Sequence, residues 1–293
     1  MMSLPPGANE PVESVVDLGS VARIARETIT APHERAKVTH HHDHHTFTVY
    51  GVTAIDETSD PLDPTIQRSR IIGIQYARAI LTIRLDHTFG MDEVRDRCRM
   101  LDEPVVGMVV HTLLDTAVDG YFDSLEALDE RLELLEDDLF GGTGTAFVDD
   151  FQVRAYQARK EIVALRRLVL PMRDVANSMW RIQPDRSAEL EANFNDLNEH
   201  VLRVSEWTES LRDMVSTLFE THLSLQDQRL NTTMRKLAGW AAVISIPTMV
   251  TGFFGMNVPY WGFGRPAGVG VAMFFFVVPA LTVYLVMRRL KWL

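Results

Sequence analysis

Two long charge-free stretches near the C-terminal end constrain the fold of this chain more than any other feature of its sequence. None of Asp, Glu, Lys and Arg occurs from Leu237 to Phe254 or from Ala267 to Met287. A helix needs about 20 apolar residues to cross a hydrocarbon core of roughly 30 Å, and soluble helices rarely lack charge for so long. The sequence therefore predicts transmembrane helices at about 237–256 and at 267–287. It argues against a purely soluble globular enzyme.

Basic residues flank both spans. A basic cluster at 229–236 precedes the first span and a basic tail at 288–293 follows the second, whereas the loop at 257–266 carries one charge, Arg265. Positive charge favours the cytoplasmic side of a membrane. We therefore expect a multi-pass protein of the cell (inner or plasma) membrane, with both termini cytoplasmic and the short loop external. The N-terminal residues show no signal-peptide pattern.

The composition restricts the function further. A net charge of −11 argues against a nucleic-acid-binding protein, which would be basic, and suits a protein that attracts cations. The single cysteine, Cys98, excludes a disulfide framework and a Cys-based zinc site within one chain. The glycine-rich segment at 141–145 lacks the Gly-Lys-Ser/Thr ending of a phosphate-binding loop. We therefore expect no nucleic acid, no ATP, no bound cofactor and no enzyme activity.

The region before the spans predicts an α+β cytoplasmic part that is mainly helical. A small N-terminal α/β domain is expected over 1–118, because runs of β-branched and aromatic residues alternate there with turn-forming residues. The expected strands are 47–55, 71–76 and 79–85, and the expected helices are 19–30 and 92–100.

Long helices follow this domain. Over 119–182, an acidic helix up to Phe140 and a basic helix from Asp149 to Trp180 predict an antiparallel hairpin held by opposite charges. A stalk helix is expected over 187–256, continuing without a break into the first span. It carries a heptad seam of mainly apolar residues, which favours a supercoiled helix. The seam consists of Leu190, Phe194, Leu197, Val201, Val204, Thr208, Leu211, Val215, Leu218, His222 and Leu225.

The triplet Gly255-Met256-Asn257 closes the first span. In this position it resembles the CorA family of divalent-cation (magnesium/cobalt) transport proteins, the two-span Gly-Met-Asn superfamily. The segment 170–174 (Leu-Pro-Met-Arg-Asp) is similar to the family's Trp-Pro-Leu-Arg-Glu segment, and Tyr121-Phe122 before an acidic helix also matches. The external loop departs from the family pattern because it has no acidic residue. The resemblance implies a CorA-like fold and a homopentamer in the lipid bilayer.

A stripe of mainly small and polar residues on the first span suits a water-filled path. Two spans cannot enclose such a path, so several copies must each contribute a lining helix. The alternative is that small residues only permit close helix packing. The expected lining residues are Asn231, Met234, Leu237, Ala241, Ser245, Thr248 and Gly252.

A hydrated divalent cation sets the chemistry of this path. Mg²⁺ dehydrates reluctantly, and no charged side chain lies in the spans, so carbonyl and amide oxygens would accept hydrogen bonds from the waters of the ion. We therefore expect the outer ion filter at Gly255, Met256 and Asn257. Further roles fall to Asn231 as a polar ring, to Met234 and Leu237 as an apolar constriction that gates by dewetting, and to Glu220 as either an inner-funnel acid or a solvated stalk acid.

The resemblance also implies a regulatory cation site between subunits. Counting back from the triplet, Asp196 matches one family acid of this site, and Asp56 matches its partner by local alignment. Mg²⁺ would then be both substrate and regulatory ligand, and would hold the assembly closed when its internal concentration is high. The alternative is that both residues are ordinary surface acids.

The segment 40–45 (His-His-His-Asp-His-His) contains five of the ten histidines of the chain. In a strand, alternate residues face opposite sides, so only two or three of these rings could meet one ion. The sequence favours an exposed strand entry or adventitious binding over a specific transition-metal site.

The function that follows is an oligomeric channel that passes hydrated divalent cations, Mg²⁺ and also Co²⁺ or Ni²⁺, into the cytoplasm down the electrochemical gradient. One alternative is a zinc transporter of the same superfamily, which the missing loop acid and the histidines favour. Another is a non-conducting, membrane-anchored coiled-coil scaffold, which would need the heptads and spans but no polar stripe.

Overall fold

The computed structural model describes residues 35–54, 66–84, 88–101, 105–141, 145–184, 186–256, 259, 264–290 and 292. The helix expected at 19–30 lies outside these residues. The chain divides into two compact units, Met1–Leu218 and Phe219–Leu293.

A four-stranded antiparallel sheet lies in the first unit. Its strands are β1 (Lys37–His40), β2 (His45–Ala54), β3 (Ile66–Gln75) and β4 (Ile80–Arg84), in the order β1-β2-β3-β4. The three expected strands are present with shifted ends. β1 was not predicted, because a strand of four residues is too short to show a clear pattern. The close approach of Phe47 explains Gly73, since a Cβ at this glycine would overlap the facing Phe47 ring.

Three helices of the first unit follow the sheet: α1 (Met91–Arg99), α2 (Val106–Gly141) and α3 (Thr145–Arg181). The expected start of the acidic helix at 119 is too late, because α2 already begins at Val106, and the expected division at 118 lies inside it. Two ion pairs join α2 to α3 in an antiparallel arrangement. Arg131 contacts Glu161 at 3.4 Å, and Arg154 contacts Asp138 at 2.5 Å.

Three contacts fix α2 and the turn after α3 against the sheet. The Tyr121 hydroxyl donates to the backbone oxygen of Tyr50 at 2.6 Å, and Gly120 lies so close to the Val52 carbonyl oxygen that a Cβ would overlap it. Gln75 of β3 donates to the side-chain oxygen of Gln183 at 2.9 Å, and both amides are buried. The paired amides satisfy polar groups that would otherwise be buried without partners.

The last two helices are α4 (Ala188–Phe254) and α5 (Pro266–Arg289). α4 thus runs as one helix from the heptad seam through the charge-free stretch that begins at Leu237. In the first unit the heptad seam from Leu190 to Leu218 is buried. It faces α2 and α3, because the ring of Phe194 contacts His111 of α2 and Trp180 of α3. The predicted supercoil seam is thus an intramolecular core surface in this unit.

Candidate functional site

Two helices of the second unit are long and apolar enough to span a membrane. One is α4 and the other is α5. In the most apolar 18-residue stretch of α4 only 11% of the residues are buried, and in that of α5 none is. A core helix of a soluble protein would be mostly buried, so this exposure favours two helices that are suited to the apolar interior of a membrane. Trp240 of α4 and Tyr284 of α5 approach each other, with ring centroids 6.4 Å apart.

The stripe expected to line a path is exposed along its length. Buried Gly239 and Val250 lie roughly opposite Ala241 and Thr248, since successive helical residues turn by about 100°. The stripe therefore occupies a face that the chain itself leaves uncovered. Its members are Asn231, Met234, Leu237, Ala241, Ser245, Thr248 and Gly252.

Two hydroxyl groups of the stripe donate to carbonyls of their own helix. Ser245 Oγ donates to the Ala241 oxygen at 2.7 Å, and Thr248 Oγ1 donates to the Ile244 oxygen at 3.0 Å. A hydroxyl has one proton and two lone pairs, so these groups present lone pairs outward once their protons are used. They are therefore suited to accept hydrogen bonds from water that carries a cation.

The outer end of α4 is set by a close backbone contact. The Gly255 amide donates to the Thr251 oxygen at 2.9 Å, and the Met256 amide donates to the Phe253 oxygen at 3.3 Å. A Cβ at Gly255 would lie only 2.9 Å from the Thr251 oxygen, so a larger residue requires the backbone to move. Gly255 and Met256 are both exposed here, whereas Asn257 lies outside the described residues.

At the other end of the stripe two large apolar side chains are exposed. Met234 is 70% exposed and Leu237 is 71% exposed. Asn231 and Glu220 are also exposed on α4. The structure therefore leaves all four side chains available for contact with other copies or with solvent, and the roles expected for them stay predictions.

The acid expected at a regulatory site, Asp196, lies on α4 with its side chain 67% exposed. His200 Nε2 is 3.8 Å from Asp196 Oδ2, and His200 Nδ1 is 3.7 Å from Asp115 Oδ1 of α2. Asp56, its expected partner, lies outside the described residues. The sequence pattern missed Asp115 and His200, although the spacing of four residues between Asp196 and His200 puts them on one helix face.

The surroundings of Asp115 and His111 shift the pKa values of both side chains. Burial, with a further contribution from Asp119, raises the pKa of the Asp115 carboxyl. Burial lowers the pKa of His111, which outweighs the attraction of Asp115. One ring nitrogen of His111 lies 3.0 Å from the backbone oxygen of Asn193. Low pH therefore adds a proton to Asp115 more readily than to an exposed carboxyl, and to His111 less readily than to an exposed imidazole.

An open groove of about 660 Å³ lies nearby in the first unit. Its walls include Glu93, Arg97, Asp119 and Asp123. Arg97 pairs with Glu93 at 2.7 Å and with Asp119 at 2.8 Å, and burial raises the pKa of Asp123. The arginine thus already neutralises two of the three acids in the groove.

Known proteins resemble this chain along most of its length. The model of the family described as CorA-like Mg²⁺ transporter protein matches residues 9–289. The cobalt/magnesium transport protein CorA of Thermotoga maritima is 25% identical over 292 residues, covering 96% of this chain and 80% of that protein. The divalent cation transporter CmaX of Pseudomonas aeruginosa is 30% identical over 194 residues, covering 64% of this chain and 55% of that protein.

Solved structures support the fold. The complete structure of the CorA magnesium transporter from Methanocaldococcus jannaschii has a TM-score of 0.74 to this chain at 20% identity. The match covers 94% of this chain and 88% of that one. The expected fold class, a mainly helical CorA-like chain with a small sheet and two apolar C-terminal helices, is confirmed.

Proposed function

Because this chain belongs to the CorA-like Mg²⁺ transporter family, a family of cation transporters and not of enzymes, we propose that it forms a homopentameric membrane channel for hydrated divalent cations. The substrates are Mg²⁺ and, with it, Co²⁺ and Ni²⁺. The ions enter the cytoplasm down their electrochemical gradient, and both termini of the chain lie in the cytoplasm.

The observation that carries this proposal is the uncovered stripe of α4. One chain leaves Asn231, Ala241, Ser245, Thr248 and Gly252 exposed, although small and polar side chains gain nothing from contact with lipid. Copies arranged around an axis would turn this face to water. A scaffold without a conducting path needs no such stripe.

The stripe suits an ion that keeps its water. Imidazole, thiolate and carboxylate groups are absent from it, so a bare Mg²⁺ would find too few ligands. The outward lone pairs of Ser245 and Thr248 can accept hydrogen bonds from the hydration shell. Asn257 and the backbone oxygens at Gly255 and Met256 form the outer filter of the proposal by the same chemistry.

The driving force needs no ATP. Moving two positive charges through a potential of 100 mV, negative inside, releases about 4.6 kcal/mol. Such a gain is enough to favour entry by about three orders of magnitude, so the protein has only to provide a path and a gate. The exposed Met234 and Leu237 side chains supply a ring that closes by losing water.

The regulatory site rests on Asp196 and Asp56. Asp196 is exposed enough to reach a neighbouring copy, and His200 lies 3.8 Å from it on the same helix. A divalent cation bound between copies would hold the closed state when the internal concentration is high. We expect Asp196→Asn to keep its flux at internal Mg²⁺ concentrations that stop flux through the unmodified protein, measured as Mg²⁺ entry into liposomes.

The test is ion flux into liposomes that contain the purified full chain and a magnesium-sensitive dye. Gly255→Ala and Asn257→Ala should each lower the initial Mg²⁺ flux at least tenfold. The matched control is Gly270→Ala on α5, where an added Cβ meets nothing within 4 Å. Unchanged flux in both filter variants, or an equal loss in the control, would contradict the proposal. Flux of zinc in preference to magnesium would instead favour the zinc transporter.

A further inference from the structure

The β1–β2 hairpin holds a group of histidines that the ion path does not use. We call residues 40–45 the histidine hairpin. The strand register pairs His40 with His45, and the His41 amide donates to the His44 oxygen at 3.0 Å to close the turn. The rings form two separate pairs. His40 and His45 have centroids 5.2 Å apart, and His41 stacks on His44 at 4.4 Å.

The two pairs differ in what they can still bind. His44 is buried, and its Nδ1 lies 2.7 Å from the Asp43 carboxylate, so this nitrogen already has a partner. His41 lies flat against His44, with Nε2 3.5 Å from the Thr46 hydroxyl. His40 is exposed and His45 is half-buried, so this pair is open to an ion from solvent.

The spacing of the open pair fits a metal ion. The Nδ1 atoms of His40 and His45 lie 3.2 Å apart. Two imidazole nitrogens at about 2.0–2.1 Å from one tetrahedral metal ion lie about 3.3 Å from each other. The hairpin therefore presents two nitrogens at the distance of a chelate, and little movement of either ring is needed. At this distance one neutral ring donates its Nδ1 proton to the other ring. When a metal ion binds, that ring carries its proton on Nε2 instead, so both Nδ1 atoms are free to be ligands.

The chemistry of the pair selects the kind of ion. Imidazole suits Zn²⁺, Ni²⁺ and Cu²⁺, whereas Mg²⁺ prefers carboxylate, carbonyl and water oxygens. Within the described residues, no group of three or more His, Cys, Asp and Glu side chains is arranged around one point. The site thus has two protein ligands, and water completes the coordination.

We infer that His40 and His45 form a two-histidine site for a first-row transition-metal ion that does not accept Mg²⁺. Its affinity should follow the usual order, with Cu²⁺ tightest and Ni²⁺ and Zn²⁺ weaker. The ion joins the last residue of β1 to the first residue of β2, and so secures an edge strand of four residues. This inference is independent of the ion path, because the site lies in the first unit and uses nitrogen ligands.

The test uses the full chain, purified in detergent with every affinity tag removed. Cu²⁺ is titrated and followed by electron paramagnetic resonance, and Zn²⁺ by calorimetry. The expected result is one tight equivalent per chain with a nitrogen hyperfine pattern of two imidazoles, unaffected by a thousandfold excess of Mg²⁺. His40→Asn and His45→Asn should each weaken binding by more than the roughly tenfold loss that removal of a supporting residue causes. The matched control, His42→Asn in the exposed turn, should bind the metal as tightly as the unmodified protein.

Four results would overturn the inference. Unchanged binding in His40→Asn and His45→Asn would place the metal elsewhere. An equal loss in His42→Asn would indicate diffuse binding by the whole histidine hairpin. Displacement by Mg²⁺ would show an oxygen-based site. The hyperfine pattern of the unmodified protein tests the inference without any variant. A pattern from no nitrogen, or from more than two nitrogens, would also refute the two-histidine site.

Discussion

Replacing Thr248 with valine tests whether the stripe of α4 meets a hydrated ion. Valine keeps the shape and β-branching of threonine and removes only the hydroxyl. In the structure this hydroxyl donates to the Ile244 oxygen at 3.0 Å and turns its lone pairs outward. The variant therefore removes one acceptor per copy and leaves the packing volume unchanged.

The expected magnitude follows from the hydrogen bond that is lost. A neutral hydrogen bond contributes about 1 kcal/mol net. If one or two copies contact the ion's water at the barrier, the barrier rises by about 1–2 kcal/mol, and the Mg²⁺ flux falls roughly 5- to 30-fold. The assay is dye-reported Mg²⁺ entry into liposomes at a fixed potential.

The matched control is Thr282→Val on α5. Thr282 is also exposed and donates to the Val278 oxygen at 2.8 Å, so this variant loses the same intrahelical bond away from the stripe. We expect its flux to equal that of the unmodified protein. Equal flux in the two variants, whether both high or both low, would refute the assignment of the stripe to the ion path.

Three further predictions concern stability and gating. Gly120→Ala should lower the free energy of unfolding by about 1–3 kcal/mol, because the added Cβ would overlap the Val52 carbonyl oxygen. The control Gly141→Ala should leave this free energy unchanged, since its added Cβ meets no atom within 4 Å. Thermal unfolding measures both variants. His111→Gln should lessen the loss of stability that the protein shows below pH 6.5. Burial lowers the pKa of this imidazole in the folded chain, so protonation favours the unfolded chain. An unchanged pH profile of unfolding would contradict this prediction. Leu237→Ala should raise flux at high internal Mg²⁺, since a smaller ring dries less readily, and unchanged flux would exclude it from the gate.

Patterns that repeat along one helix could be predicted from the sequence. The seam from Leu190 to Leu218 is buried where its heptad spacing places it, and the charge-free stretches became exposed apolar helices. Both features depend on the 3.6-residue period of a helix and on the preference of uncharged side chains for an apolar environment. The members of the stripe that we propose to line the ion path also share one face of α4 by spacing alone, but their role in conduction stays a prediction.

Pairings between distant segments could be found only in the tertiary structure. Gln75 and Gln183 are 108 residues apart, and neither amide signals its partner in the sequence. Asp115 of α2 lies beside His200 of α4 only because these two helices pack against each other.

The six residues of the histidine hairpin also show what the sequence predicts and what only the tertiary structure decides. The sequence supplies five imidazoles and the alternation of a strand, which leave two or three rings for one ion. The pairing of β1 with β2 decides that His40 and His45 meet at 3.2 Å, while His44 is taken up by Asp43. Composition and period determine which side chains share a face; the distance between two atoms depends on how separate segments pack, and no local pattern encodes it.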